Sequence, residues 1–84
     1  MYTLHARSKF TLPEIKKLRI GLKQVEETIE NPEVIDSSEE PVLIAISSLN
    51  DRLSLCVAYR KVEEGIRVIT FYPAEKGRYE SKIL

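Results

Sequence analysis

The chain has 84 residues, which is enough for one domain, 1–84, with a small core and modest stability. Its 13 basic and 13 acidic residues cancel, and 43% of the residues are hydrophobic, which argues against disorder. A single cysteine, Cys56, excludes an intramolecular disulfide and a Cys-based zinc cluster. The sequence contains neither a signal peptide nor an apolar run that could span a bilayer, so we expect a soluble cytoplasmic protein without a membrane partner.

The charges are segregated along the chain. Residues 1–23 contain six bases and one acid, residues 24–51 contain eight acids and no base, and residues 52–84 contain seven bases and four acids. This distribution predicts a basic side that attracts a polyanion and an acidic side that repels it. Solvated charges on helix faces explain the same pattern without a ligand, and for any single charge this is the commoner explanation.

The first third of the chain predicts short helices. Residues 5–10 fit one or two helical turns, and Thr11-Leu12-Pro13-Glu14 is a capping signal that precedes apolar residues at helical spacing. We expect a break at Gly21 and a further helix from about residue 23 to residue 30. Asn31-Pro32 ends it, because proline disfavours helical conformation at the residue before it. Two helices joined at Gly21 would form one layer.

The rest of the chain predicts strands at 33–35, 42–46, 53–60 and 66–72. In residues 53–60 bulky side chains alternate with small or polar ones, which is typical of a half-buried antiparallel strand. We expect the bulky set to pack on the helices and the small set, which ends at Arg60, to leave the second face open. The order of elements predicts an α+β fold, with two N-terminal helices packed on one face of a curved antiparallel sheet of three to four strands.

The last strand is harder to orient, because both of its alternating sets of side chains are apolar. We interpret Ile69 and Phe71 as core residues. This places Thr70 and Tyr72 on the same face as Arg60. A slip of one residue would reverse the assignment.

The available residue types suit one kind of catalysis. The sequence has no metal-ligand spacing, Gly-rich phosphate loop or Ser/His/Asp order, so we expect no metal and no cofactor. One histidine with several tyrosines, lysines and arginines suits metal-independent cleavage of an RNA phosphodiester, which needs a base, an acid and cations. Imidazole exchanges a proton near neutral pH, basic side chains hold phosphate oxygens, and tyrosine donates a proton or stacks on a base. The candidates are His5, Arg60 and Tyr72 for catalysis, and Lys61, Thr70, Lys76, Arg78 and Tyr79 for substrate binding.

Each candidate also has a purely structural explanation. His5, taken alone, reads more readily as an ordinary exposed or packed histidine. Arg60 and Lys61 can pair with Glu63 and Glu64 across a turn. The functional interpretation depends on convergence, because basic and aromatic groups gather where the last two strands end.

Several short motifs resemble a known family. They are Tyr-Thr-Leu-His-Ala at 2–6, Val-Glu-Glu-Thr-Ile-Glu-Asn-Pro-Glu at 25–33, Val-Ala-Tyr-Arg-Lys at 57–61, Arg-Val-Ile-Thr-Phe-Tyr-Pro at 67–73 and Lys-Gly-Arg-Tyr at 76–79. Together they resemble a small family distantly related to the BrnT and RelE toxins of toxin–antitoxin operons. The resemblance spans nearly the whole chain, although its motifs are short.

This resemblance implies a RelE-like fold, metal-independent ribonuclease activity, an RNA substrate that is free or on the ribosome, and an antitoxin partner. The histidine, strand arginine and strand-end tyrosine of the family correspond to His5, Arg60 and Tyr72. Its basic exit segment corresponds to Lys76, Arg78 and Tyr79. Two alternatives stay open: a non-catalytic module of the same fold that binds RNA or protein, and a homodimer formed through an exposed sheet edge.

Overall fold

The computed structural model describes residues 1–76, which form three helices followed by four strands. The helices are α1 (Leu4–Lys9), α2 (Pro13–Lys17) and α3 (Leu22–Glu30), and the strands are β1 (Val34–Asp36), β2 (Leu43–Ser48), β3 (Leu53–Val62) and β4 (Gly65–Glu75). All neighbouring strands are antiparallel, in the order β1-β2-β3-β4. The predicted α+β class is confirmed, with three short helices in place of two.

The extra helix results from the chain break around Thr11. α1 begins where the Thr3 hydroxyl accepts a hydrogen bond from the Ala6 backbone N–H (3.1 Å), which satisfies one of the free donors of the first turn. α2 begins at Pro13, a residue that the first turn of a helix tolerates. Within residues 1–76 no helix is long and apolar enough to cross a membrane.

The end of α2 directs the chain into α3. The Ile20 N–H donates to the Ile15 carbonyl (3.1 Å) and the Arg19 N–H donates to the Lys16 carbonyl (3.0 Å). This is the Schellman arrangement, and it requires Arg19 to adopt a left-handed conformation with φ 57°. The predicted break is therefore found, but Arg19 rather than Gly21 is the residue with positive φ.

All three helices pack on one face of the sheet. Leu55 and Val57 of β3 and Phe71 of β4 are at most 1% exposed, and they lie in one apolar cluster with residues from every helix. The helical members of this cluster are Ala6, Ile15 and Val25, and Ile20, between α2 and α3, joins them. The period-2 pattern of β3 thus predicts correctly that Leu55 and Val57 face the helices. The prediction that the small set leaves the second face open is wrong, because Ser54, Cys56 and Ala58 are at most 8% exposed.

A bulge in β4 changes which residue enters the core. Ala58 pairs with Thr70, whereas the next residue, Tyr59, pairs with Val68, so Ile69 is the extra residue. Val68 is 2% exposed and belongs to the core cluster, while Ile69 is only half-buried. The prediction that Ile69 is a core residue is wrong, because the bulge transfers that role to its neighbour.

Candidate functional site

Three of the predicted site residues lie on the face of the sheet opposite the helices. Thr70 pairs with Ala58, Arg60 pairs with Arg67, and Tyr72 lies two positions beyond Thr70. Two strand residues span about 7 Å, so Arg60 is about that far along β3 from the Ala58–Thr70 pair. Arg60 is exposed, and Thr70 and Tyr72 are half-buried. The register therefore puts these three candidates on one face, as the alternation predicts.

The structure does not bring the remaining described candidates to that place. Lys61 pairs with Ile66 and alternates onto the other face from Arg60. Lys76 follows β4, where its N–H donates to the Arg52 carbonyl (3.1 Å), at the opposite end of the hairpin from Arg60 and about 26 Å away along the strands. The expected convergence of these cations is wrong, because two antiparallel strands end at opposite ends of their hairpin. Arg78 and Tyr79 lie outside the described residues.

Helix α1 lies along the outer edge of β4 and is hydrogen-bonded to it. The Thr3 hydroxyl donates to the Ile69 carbonyl (2.8 Å), and the Lys9 ammonium donates to the Phe71 carbonyl (2.7 Å). The Lys9 nitrogen also lies 5.8 Å from the ring centroid of Tyr72, within the range of a cation–π contact. A cation is thus held beside a predicted site tyrosine.

His5 belongs to the same side of α1 as Lys9. The two residues are separated by four positions, so their Cβ atoms lie about 6 Å apart on one helical stripe. Ala6, the next residue, is fully buried and faces the core, whereas His5 is exposed. The ammonium of Lys9 reaches the strand edge that carries Tyr72. His5 stands one helical turn away on the helix side of the sheet, whereas Thr70 and Tyr72 belong to the opposite face. We call His5, Lys9, Thr70 and Tyr72 the β4-edge site.

The Thr70 hydroxyl adds an unused polar group to the β4-edge site. Its oxygen is buried and has no hydrogen-bond partner. A hydroxyl donates one hydrogen bond and accepts up to two, and leaving it unsatisfied in a buried place is unfavourable. Thr70 as a whole residue is half-buried.

A second basic location lies at the other end of the hairpin. Arg52 and Lys76 line an open depression of about 1080 Å³ together with Leu18, Asn50 and the acidic Glu75. Two basic residues and one acid therefore border it, and the backbones of Arg52 and Lys76 are hydrogen-bonded to each other. A phosphate bound in this depression would belong to a different nucleotide from the one whose phosphate lies at the β4-edge site.

A third depression, of about 450 Å³, has the opposite character. Glu26 and Glu30 line it together with Tyr2 and Ile29. The Tyr2 hydroxyl is buried without a hydrogen-bond partner, and burial, followed by the charge of Glu26, raises the pKa of Tyr2 above its ordinary value. Two carboxylates would repel a phosphate, so this depression is not suited to RNA.

Sequence reasoning missed Lys9, which it counted only among the N-terminal bases. Its spacing from His5 was a usable signal, because residues four apart on a helix are neighbours. The sequence does not show which strand lies beside His5 and Lys9, because Lys9 and its partner Phe71 are 62 positions apart. Arg67, opposite Arg60, was missed because simple alternation puts it on the face of Phe71, whereas the bulge at Ile69 moves it to the face of Arg60.

Among residues 1–76 there is no group of three or more His, Cys, Asp or Glu side chains that could hold a metal ion. The chemistry of the β4-edge site is that of an imidazole, an ammonium, a phenol and a hydroxyl. Comparison with protein-family models, with curated proteins and with solved structures gives no match for this chain.

Proposed function

We propose that the protein is a metal-independent endoribonuclease, and that it is the toxin of a toxin–antitoxin pair. One observation carries the proposal. The Lys9 ammonium is held between the Phe71 carbonyl and the Tyr72 ring, on the same side of α1 as His5. An imidazole, a cation and a phenol can supply the base, the charge stabilisation and the acid that RNA cleavage without a metal requires.

The reaction would proceed by transesterification. The His5 imidazole takes the proton from the ribose 2′-hydroxyl, and the 2′-oxygen attacks the adjacent phosphorus. Lys9 stabilises the additional negative charge on the phosphate oxygens, and the Thr70 hydroxyl donates to one of them. The bond to the 5′-oxygen breaks, and this oxygen receives a proton from Tyr72. The products are a 2′,3′-cyclic phosphate and a 5′-hydroxyl.

The remaining basic residues would bind neighbouring phosphates rather than the reacting one. Arg60 and Arg67 form a cross-strand pair beyond Thr70, and Arg52 and Lys76 meet at the other end of the hairpin. Two like charges directly opposite each other are unfavourable unless an anion lies between them. A single RNA strand running along β4 would supply a phosphate at both places.

Cleavage of a fluorescent single-stranded RNA in the presence of EDTA tests the proposal. We expect wild-type protein to cleave it and His5→Ala to be at least about 100-fold slower, because general acid–base catalysis contributes roughly 10²–10⁴-fold. Leu4→Ala is the matched control, since Leu4 is 83% exposed and precedes His5 in α1. Absence of cleavage by the wild type, or equal rates for the His5 variant and the control, would contradict the assignment.

A second candidate function, RNA binding without cleavage, is favoured by the distance between Arg60 and Lys76. Cations about 26 Å apart are better placed to bind successive phosphates of an RNA backbone than to bind a single phosphate. In that case RNA affinity falls steeply with salt, and no product forms. Induced expression in bacteria, with and without whatever small protein is encoded next to it, separates the two: a toxin arrests growth unless its antitoxin is present.

A further inference from the structure

The two edges of the sheet differ in whether other segments of residues 1–76 cover them. At the β4 edge, the Val68 N–H donates to the Met1 carbonyl (2.8 Å) and the Thr3 N–H donates to the Val68 carbonyl (3.0 Å). α1 occupies further carbonyls of the same strand. At the other edge, β1 pairs only with β2 among the elements of residues 1–76. Its outward N–H and C=O groups form a template for one more strand.

The helix layer stops short of β1. Ile35 is in register with Ala45 and Val57 on the helix side of the sheet. Ala45 and Val57 are 0% exposed, whereas Ile35 is 48% exposed. α3 packs mainly against β2 and β3. An apolar side chain therefore stands largely exposed on the strand that forms this edge of the sheet within residues 1–76.

The residues around β1 are acidic, and this determines the charge of the partner that the β1 edge attracts. Glu33 precedes the strand and Glu39 and Glu40 follow it, and all three are exposed. Residues 24–51 contain eight acids and no base. This edge repels RNA and attracts a cationic chain. It is also remote from the β4-edge site, because β2 and β3 lie between β1 and β4.

We propose that β1 is the docking edge for an extended basic segment of a protein partner, which adds a fifth strand to the sheet. Backbone hydrogen bonds to β1 would hold the segment, one of its apolar side chains would cover Ile35, and its lysines or arginines would meet Glu33, Glu39 and Glu40. The nuclease activity plays no part in this proposal. It holds equally for a catalytic protein and for a binding module.

A model peptide tests the docking edge. The probe is a short, end-blocked peptide of alternating lysine and valine, added to isotope-labelled protein while the amide resonances are recorded. A second peptide of the same sequence carries N-methyl groups on alternate backbone nitrogens, so that it keeps the charge and loses the hydrogen bonds along one edge. We expect the first peptide to shift the amides of residues 33–36, and the second to leave them unchanged.

Protein variants sharpen the test. Ile35→Thr keeps the preference for a strand and is expected to weaken binding of the first peptide about tenfold. Glu39→Gln with Glu40→Gln is expected to weaken it and to reduce its salt dependence. Leu4→Thr, at the other edge, is the matched control and should bind as the wild type does. Thermal unfolding of each variant verifies that its fold is retained.

The proposal is overturned by any of four results. These are the absence of shifts at residues 33–36, equal binding of the methylated peptide, the same shifts with an RNA oligonucleotide, and the same shifts on concentrating the protein alone. The last result would mean that β1 pairs with a second copy of the chain.

Discussion

Lys9→Met removes the cation that joins α1 to β4 while it keeps a stem of similar length and shape. A hydrogen bond from a charged donor contributes roughly 1.5–3 kcal/mol, and an exposed cation–π contact contributes about 0.5–1 kcal/mol. Ordering a lysine side chain costs about 1.5–2 kcal/mol, which offsets much of this gain. The free energy of unfolding should therefore fall by about 1 kcal/mol, which for a domain of this size corresponds to about 4–8 °C in Tm.

Urea unfolding, followed by circular dichroism, measures this change. Lys16→Met is the matched control, because Lys16 is exposed on α2 and the substitution is chemically the same. A surface change of this kind usually stays within about 0.5 kcal/mol. The slope m should not change in either variant, since the folded and unfolded surfaces are nearly the same. If Lys9→Met and Lys16→Met were equally stable, the hydrogen bond to the Phe71 carbonyl would not be formed in solution.

Three further substitutions test individual side chains. Tyr2→Phe removes a buried, unpartnered hydroxyl and should raise the free energy of unfolding by about 1 kcal/mol at neutral pH, measured in urea. Burial and Glu26 raise the pKa of Tyr2 above its ordinary 10.0. The free energy of unfolding of the wild type should therefore fall as the pH rises beyond 10.0, and that of the variant should fall less. Equal losses of stability in the two proteins at alkaline pH would contradict this. Arg19→Gly should stabilise the protein by about 0.5–1 kcal/mol, because glycine adopts positive φ without strain, whereas Arg7→Gly inside α1 should destabilise it. Thr70→Val keeps the shape of the side chain and removes the buried hydroxyl, so thermal unfolding should show equal or higher stability while RNA cleavage slows; unchanged cleavage would remove Thr70 from the site.

The orientation of β3 is predictable from sequence because only one of its alternating sets is bulky. Leu55 and Val57 can face only the helices, and the structure buries them there. β4 lacks this asymmetry, and its bulge at Ile69 has no glycine or other local marker. Val68 enters the core because of its pairing with Tyr59, which is a tertiary relation that the local pattern does not contain.

The site is predictable in part for the same reasons. The shared face of Arg60, Thr70 and Tyr72 follows from strand periodicity and the β3–β4 pairing. An antiparallel hairpin also places Arg60 and Lys76 at opposite ends. The prediction overlooked this separation because it described both residues simply as lying at strand ends. Lys9 depends on the packing of α1 against β4, which no short-range pattern specifies.

The chemical nature of the RNA ends tests the central claim most directly, namely that His5 and Lys9 act on a ribose 2′-hydroxyl beside β4. The account predicts that EDTA-treated protein produces 2′,3′-cyclic phosphate and 5′-hydroxyl ends, that 2′-O-methyl RNA resists cleavage, and that His5→Ala forms neither end. Cleavage of 2′-O-methyl RNA, or 5′-phosphate ends, or ends that His5→Ala still produces at the wild-type rate, would contradict it.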